Sequence, residues 1–224
     1  MDCKQVQSLA ETLKQNISTV ISGKDPVIKK VILSLLCSGH ILLEDIPGTG
    51  KTTLAKALAK SIRCGFKRVQ FTPDLLPSDL TGINFFNQKE GEFVFKKGSV
   101  FTNILLGDEI NRATPRTQSS LLECMEEGQV SVDGVTYALD KPFLVIATQN
   151  PIEIQGTFPL PEAQLDRFFV RLKMGYPDTE SETRMLTGRV SQNPLDALAP
   201  VLSGEEIVEA QAAVRMVKVG QAVA

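Results

Sequence analysis

Between Gly39 and Lys56 the chain reads GHILLEDIPGTGKTTLAK, and no other stretch narrows the choice of fold as far. Ile41, Leu42 and Leu43 make a short apolar run, Pro47 to Gly50 supply turn residues, and good helix formers resume from Thr53. The order is therefore strand, tight loop, helix. A loop in that setting can wrap phosphate. Gly48 and Gly50 let backbone N–H groups turn inward, and a helix starting near Lys51 aims the positive end of its dipole at the same point. Lys51 is then placed to reach the β- and γ-phosphates, and the Thr52 hydroxyl to ligate Mg²⁺. The pattern GxxxxGK(S/T) asks for glycine where Asp45 stands, so the match is partial. A chance Gly-x-Gly-Lys-Thr in a surface turn is the bland alternative, but it rarely carries both flanks.

A second stretch depends on the first. Ile104, Leu105 and Leu106, followed by Gly107, Asp108 and Glu109, read as a buried strand that delivers two acids at its C-terminal end. In an open parallel sheet that end is where ligands sit. Asp108 is placed to hold the Mg²⁺ shell and Glu109 to polarise an attacking water. Alone, the pair is equally an acidic loop after a core strand; a phosphate loop upstream tips the reading toward chemistry. Phe143 to Ala147 form another apolar strand, ending at Thr148, Gln149, Asn150 and Pro151. Asn150 can orient water or read a γ-phosphate, and it can as readily cap the turn before Pro151. Arg167 precedes a last strand over Phe168 to Leu172, where the residues alone suggest a surface ion pair.

Composition removes several other classes. With 24 basic and 26 acidic side chains there is no global field to draw in nucleic acid or an anionic membrane. Cys3, Cys37, Cys64 and Cys124 form no CxxC pair and His40 is the lone histidine, so a zinc site lacks ligands and reduced thiols are expected. No run reaches the ~18 apolar residues a membrane span needs, and residues 1–20 have no signal-peptide core. A cytoplasmic location is expected.

Elsewhere the periodicity predicts helices over residues 3–17, from an N-cap at Asp25 with Pro26 first in the helix, over 52–62, and from the Thr114 cap through Met125 to a stop at Gly128. Strands are expected over Phe66 to Phe71, in a hairpin over residues 83–95 turning near Gly91, and in a hairpin over 130–139 turning at Asp133-Gly134. Residues 72–82 (TPDLLPSDLTG) read as irregular, and a short helix is expected within 158–167. The aromatic residues of the 83–95 hairpin can be core or a protruding grip flanked by Lys89, Lys96 and Lys97. Beyond Asp178, SETRMLTGR and EEIVEAQAAVRM read as helices separated by a linker from Pro194 to Pro200.

LLEDIPGTGKTTLAKALA, GDEINRATPRTQSSLLECMEEGQV and IATQNPIEIQGTFPLPEAQLDRF, in that order, resemble the MoxR group of AAA+ ATPases, including its Glu-Asp-x-Pro-Gly form of the loop. The resemblance runs from about Val20 onward. It implies an α/β fold, a P-loop NTPase three-layer αβα sandwich with a parallel central sheet, two β-hairpin insertions and a short, incomplete helical C-terminal lid. The nucleotide-binding core would cover residues 1–175, and 176–224 would be linker and the start of the lid.

By the same resemblance, ATP and Mg²⁺ would be held by Pro47, Gly48, Thr49, Gly50, Lys51, Thr52 and Thr53, with Thr52 and Asp108 on the metal. Asp108 and Glu109 would be the Walker B pair and Asn150 the first sensor. Val20, Ile21 and Gly23 would contact adenine, although Lys24 stands where similar sequences often have glutamine. Arg167 would act in trans on a neighbour's ATP, with Arg112 and Arg116 as rivals. The hairpins would be the family's helix-2 insert and pre-sensor hairpin.

The implied assembly is a ring, expected to be hexameric. The implied work is ATP-driven, chaperone-like remodelling or activation of client proteins, often with partners bearing von Willebrand A domains. A nucleotide-dependent binding switch with negligible hydrolysis is the alternative from another class. A nucleic-acid motor or magnesium-chelatase-like subunit shares the motifs but fits the near-neutral charge poorly. Similar proteins continue into a lid with a second sensor arginine, which is not found before Ala224, and slow turnover is expected.

Overall fold

The computed structural model describes residues 1–45, 48–151, 156–176 and 194–218. Five parallel strands form the central sheet: β1 (Ile41–Glu44), β2 (Phe66–Gln70), β5 (Ile104–Asp108), β8 (Leu144–Gln149) and β9 (Val170–Leu172). Their spatial order is β2-β5-β8-β1-β9. Parallel strands covered on both faces need apolar side chains at every position, which is why three of these segments read as unbroken apolar runs. The pleat sorts them. Ile41, Leu43, Ile104, Leu106, Leu144 and Ile146 point into one core layer, and Leu42, Leu105, Val145 and Ala147 into the other.

The first layer is built by α1 (Cys3–Ser18), α2 (Asp25–Leu36) and α3 (Lys51–Ser61). Leu13, Ile17, Ile28 and Leu35 are fully or almost fully buried there. Asp25 is the first residue of α2 rather than its N-cap, which is Lys24. The Asp25 carboxylate instead accepts a hydrogen bond from the Ser18 hydroxyl (3.1 Å), tying α2 to the end of α1.

The second layer contains α5 (Pro115–Glu127), preceded by α4 (Pro77–Thr81). That short helix corrects the irregular reading of residues 72–82. Pro77 opens it, and the Asp79 carboxylate accepts from the Leu76 N–H (2.8 Å). The proline and aspartate that looked like loop chemistry are helix-start chemistry. A further short helix, α6 (Glu162–Leu165), leads toward β9.

Two antiparallel hairpins stand outside the sheet, β3 (Gly82–Asn87) with β4 (Glu92–Lys97) and β6 (Gln129–Val132) with β7 (Val135–Ala138). They are joined to each other. Phe95 stacks on Tyr137 with ring centroids 4.0 Å apart, and Asn84 donates to Asp133 (2.7 Å). The aromatic residues of the first hairpin divide between the two expected roles. Phe95 packs at the base, whereas Phe86 and Phe93 meet edge to face while remaining 52% and 73% exposed.

The stretch expected as a linker carries α7 (Pro194–Ala197). It is fastened to α3: Lys60 donates to the carbonyls of Leu195 and Asp196 (both 2.9 Å), and the Val201 and Leu202 N–H groups donate to the Ser61 carbonyl. It leads to α8 (Gly204–Arg215), opened by a reciprocal Ser203–Glu206 capping box. Ile207 and Ala210 of α8 are buried in the α1–α2 layer, and the Gln211 amide donates to the Leu35 carbonyl (2.7 Å). The helix expected over SETRMLTGR lies outside the described residues.

His40 serves the fold. The Val145 N–H donates to Nδ1 (3.0 Å), which leaves the proton on Nε2 to donate to the Met125 carbonyl (2.9 Å). Burial, partly opposed by that carbonyl, holds its pKa below the ordinary 6.5. As pH falls below 6.5 the unfolded chain takes up this proton first. The contribution of His40 to stability is therefore present above 6.5 and lost as pH falls through the folded-state value. Melting temperature is expected to drop between about pH 7.5 and about pH 5.5, and by less in His40→Asn, as scanning calorimetry would show.

Candidate functional site

The C-terminal ends of β1, β5 and β8 open into one cleft of about 420 Å³. Its floor is the loop between β1 and α3. Gly48 and Gly50 sit at φ +85° and +89°, backbone that side-chain-bearing residues rarely adopt, and Gly50 passes directly into Lys51 at the start of α3. The helix N-terminus thus faces the cleft with its N–H groups. Lys51 and Thr52 line it beside Thr53, and the Lys51 ammonium donates to the Asp45 carbonyl (3.1 Å).

Asp45, at the position where the general motif has glycine, is buried and has a definite task. One carboxylate oxygen accepts from the N–H groups of both Met174 and Gly175 (2.7 Å each). The loop is thereby tied to the chain leaving β9. The sequence marks Asp45 as a departure from the general motif and as part of the Glu-Asp-x-Pro-Gly form; the two amides it holds lie some 130 residues away and were not legible.

The opposite wall carries the acids. Asp108 ends β5, its Oδ1 accepting from the Thr148 hydroxyl (2.6 Å) and its Oδ2 from Arg68. Glu109 sits in the left-handed region (φ 57°, ψ 50°), and its N–H donates to the Thr148 oxygen (2.9 Å). Thr148 on β8 therefore fixes one acid by its side chain and the other by its backbone. A left-handed glutamate costs energy and persists only where neighbours enforce it, a pattern that clusters at functional sites. The Glu109 carboxylate accepts from Gln70 (2.8 Å) and pairs with Arg112 (3.0 Å). Asn150, 8% exposed, lines the same cleft just beyond β8.

Lys51, Thr52, Asp108, Glu109 and Asn150, predicted from three separated stretches, thus meet in one place. Thr49 is buried in the loop, and Pro47 lies outside the described residues. Arg68, Gln70 and Thr148 were not anticipated. Arg68 and Gln70 lie on β2, a stretch that reads only as a strand, and strand order was needed to bring them beside β5.

Other predicted residues lie elsewhere. Val20, Ile21 and Gly23 form the turn between α1 and α2 and do not line this cleft; Ile21 is buried in the first core layer. Lys24 donates to the Tyr176 carbonyl. Arg167 precedes β9, at the end of the parallel strands away from the cleft, where it pairs with Glu126 (3.0 Å). Arg116 is exposed in the first turn of α5, and Arg112 is committed to Glu109 of its own chain.

A family model, the ATPase family associated with various cellular activities (AAA), matches residues 40–170. The chaperone MoxR1 of Mycobacterium tuberculosis is 43% identical over 189 residues, which cover 84% of this chain and 50% of that protein. The chain belongs to the MoxR family of AAA+ ATPases. Another relative, the Bacillus subtilis protein YeaC, is 51% identical over 204 residues, covering 91% of this chain and 64% of its own length. A solved structure of a candidate ATPase from Cytophaga hutchinsonii superposes with a TM-score of 0.87 at 41% identity, covering 97% of this chain and 66% of that one. The chain therefore spans between half and two thirds of the length of these relatives. Such coverage takes in the sheet and its cleft, and the family's P-loop NTPase sandwich is the fold observed here.

The donors fit the metal that AAA+ chemistry employs. Mg²⁺ prefers oxygen ligands and is commonly held by one or two protein groups together with substrate phosphates. The Thr52 hydroxyl and the Asp108 carboxylate are two such groups facing the same space. Among the described residues no cluster of three or more His, Cys, Asp or Glu side chains is arranged to cage a metal by itself.

Proposed function

We propose that this chain binds ATP with Mg²⁺ in the cleft above β1, β5 and β8 and hydrolyses it to drive chaperone-like remodelling or activation of client proteins. The convergence of Lys51, Asp108, Glu109 and Asn150 in one cleft carries this reading. The loop N–H groups and Lys51 would grip the β- and γ-phosphates, and Thr52 and Asp108 would hold the metal. Bound Mg²⁺ would neutralise charge developing on the transferring phosphoryl group. Glu109 would accept a proton from the attacking water, with Asn150 fixing where that water sits.

The chaperone role rests on the name of the mycobacterial relative. We further propose a ring, hexameric by family resemblance, in which Arg167 completes a neighbour's site; its place before β9, at the end of the strands away from its own cleft, agrees with work in trans. On this reading Val20, Ile21 and Gly23 contact the base, residues 176–224 lead into a lid, and proteins with von Willebrand A domains are candidate partners. A cytoplasmic location belongs to the same proposal; among the described residues no helix is long and apolar enough to cross a membrane.

One observation favours the binding-switch alternative: Glu109 is engaged by Gln70 and Arg112 rather than presented to the cleft without partners. Steady-state phosphate release from ATP by purified protein separates the readings. Turnover that requires Mg²⁺ is expected, and ATP binding without measurable release would favour the switch.

A further inference from the structure

Asp108, the acid assigned to the metal, already has a positive group on it. Arg68 reaches across from β2 and places Nη2 2.6 Å and Nε 3.2 Å from the same oxygen, Oδ2. The other oxygen is taken by Thr148. The arginine is itself steadied, since Nη2 also donates to the Gln70 side-chain oxygen (2.9 Å), and the Gln70 amide donates to Glu109. Arg68 lines the cleft together with Lys51 and Thr52.

An exposed ion pair of this kind usually does little. This one differs because the Asp108 side chain is only 15% exposed and is the carboxylate a cation must reach. A metal arriving at Oδ2 meets a guanidinium there, and two positive groups cannot share one oxygen at contact distance without strong repulsion. With the guanidinium removed and no metal present, a bare carboxylate would instead face the incoming phosphates.

We propose that Arg68 is a built-in counter-cation for Asp108, covering the carboxylate in the absence of metal and yielding Oδ2 to Mg²⁺, so that it sets how strongly nucleotide binding depends on the metal. The proposal rests on the nucleotide reading above. Arg68 is on this account a positioning residue that acts through Asp108. Gln70 stands between the exchange and Glu109, accepting from Arg68 with its side-chain oxygen and donating to Glu109 with its amide.

The test is a titration of a fluorescent ATP analogue, with EDTA and with saturating Mg²⁺, on wild type, Arg68→Met and Arg68→Lys, with Arg68→Gln as a second charge-removing variant should the methionine protein fail to fold. In wild type the ratio of the two dissociation constants is expected to be modest. In Arg68→Met or Arg68→Gln the EDTA affinity is expected to fall about tenfold while the Mg²⁺ affinity holds within about threefold, so the ratio rises about tenfold. Arg68→Lys, which restores a cation, is expected to stay within about threefold of the wild-type ratio. A charge-removing variant whose ratio stays within about twofold of wild type overturns the proposal, even if both affinities drop together, because a merely structural role gives that result. Wild-type protein that binds no triphosphate under either condition overturns the nucleotide reading and this proposal with it.

Discussion

Glu109→Gln is expected to lower steady-state ATP hydrolysis by about 10² to 10⁴, the range over which a positioned proton acceptor acts, while leaving the dissociation constant for ATP within about twofold. The substitution keeps shape and an acceptor oxygen, so the contacts from Gln70 and Arg112 have somewhere to go. It removes only the capacity to take a proton at neutral pH. The measurement pairs phosphate release with a titration of fluorescent ATP on the same preparation. Hydrolysis that persists within about threefold of wild type would remove Glu109 from the role of base and move attention to a water held by Asn150. Loss of binding together with turnover would instead show that Glu109 shapes the cleft.

Lys51→Ala acts earlier. The Lys51 ammonium lies at the mouth of α3 and is held by the Asp45 carbonyl. A bound triphosphate would draw it away, exchanging a neutral acceptor for an anionic one. Hydrogen bonds to charged groups contribute about 1.5–3 kcal/mol, so removing the ammonium is expected to weaken ATP binding by about 10- to 150-fold. Fluorescent-nucleotide titration reads the loss. The melting temperature without nucleotide is the control, because Lys51 is only half-buried. ATP affinity within about threefold of wild type would mean that the triphosphate does not sit on this loop.

What could be read from the residues, and what could not, divides along a physical line. Short-range order was legible. The apolar runs at Ile41–Leu43 and Ile104–Leu106 announced strands covered on both sides. Asp133-Gly134 announced a two-residue turn, and Pro115 with Gly128 bracketed α5. The gathering of the motif residues in one cleft was legible too, because the loop glycines and the acids after an apolar strand fill fixed places along the chain. Missed were contacts that exist only once distant strands become neighbours. Arg68 and Gln70 join Asp108 and Glu109 across the β2–β5 pairing, some 40 residues apart. Thr148 looked like one more polar residue at a strand end until β8 came to lie beside β5. The same cause misplaced Pro194–Pro200: proline at both ends suggested a linker, whereas α3 offered Lys60 and Ser61 to fasten it. Pro77 and Asp79 were misjudged for a local reason, since turn residues and helix-start residues are largely the same set.

The double acceptance by Asp45 has a mechanical consequence. A single buried carboxylate oxygen holds two consecutive amides just past β9, while the main-chain carbonyl of the same residue holds the Lys51 ammonium. The lysine and the strand exit thus hang from one pivot. Any pull along the polypeptide downstream of Leu172 would reach Asp45 and, through its carbonyl, the gripping end of Lys51, and a ligand that draws Lys51 outward would tug on the strand exit in return.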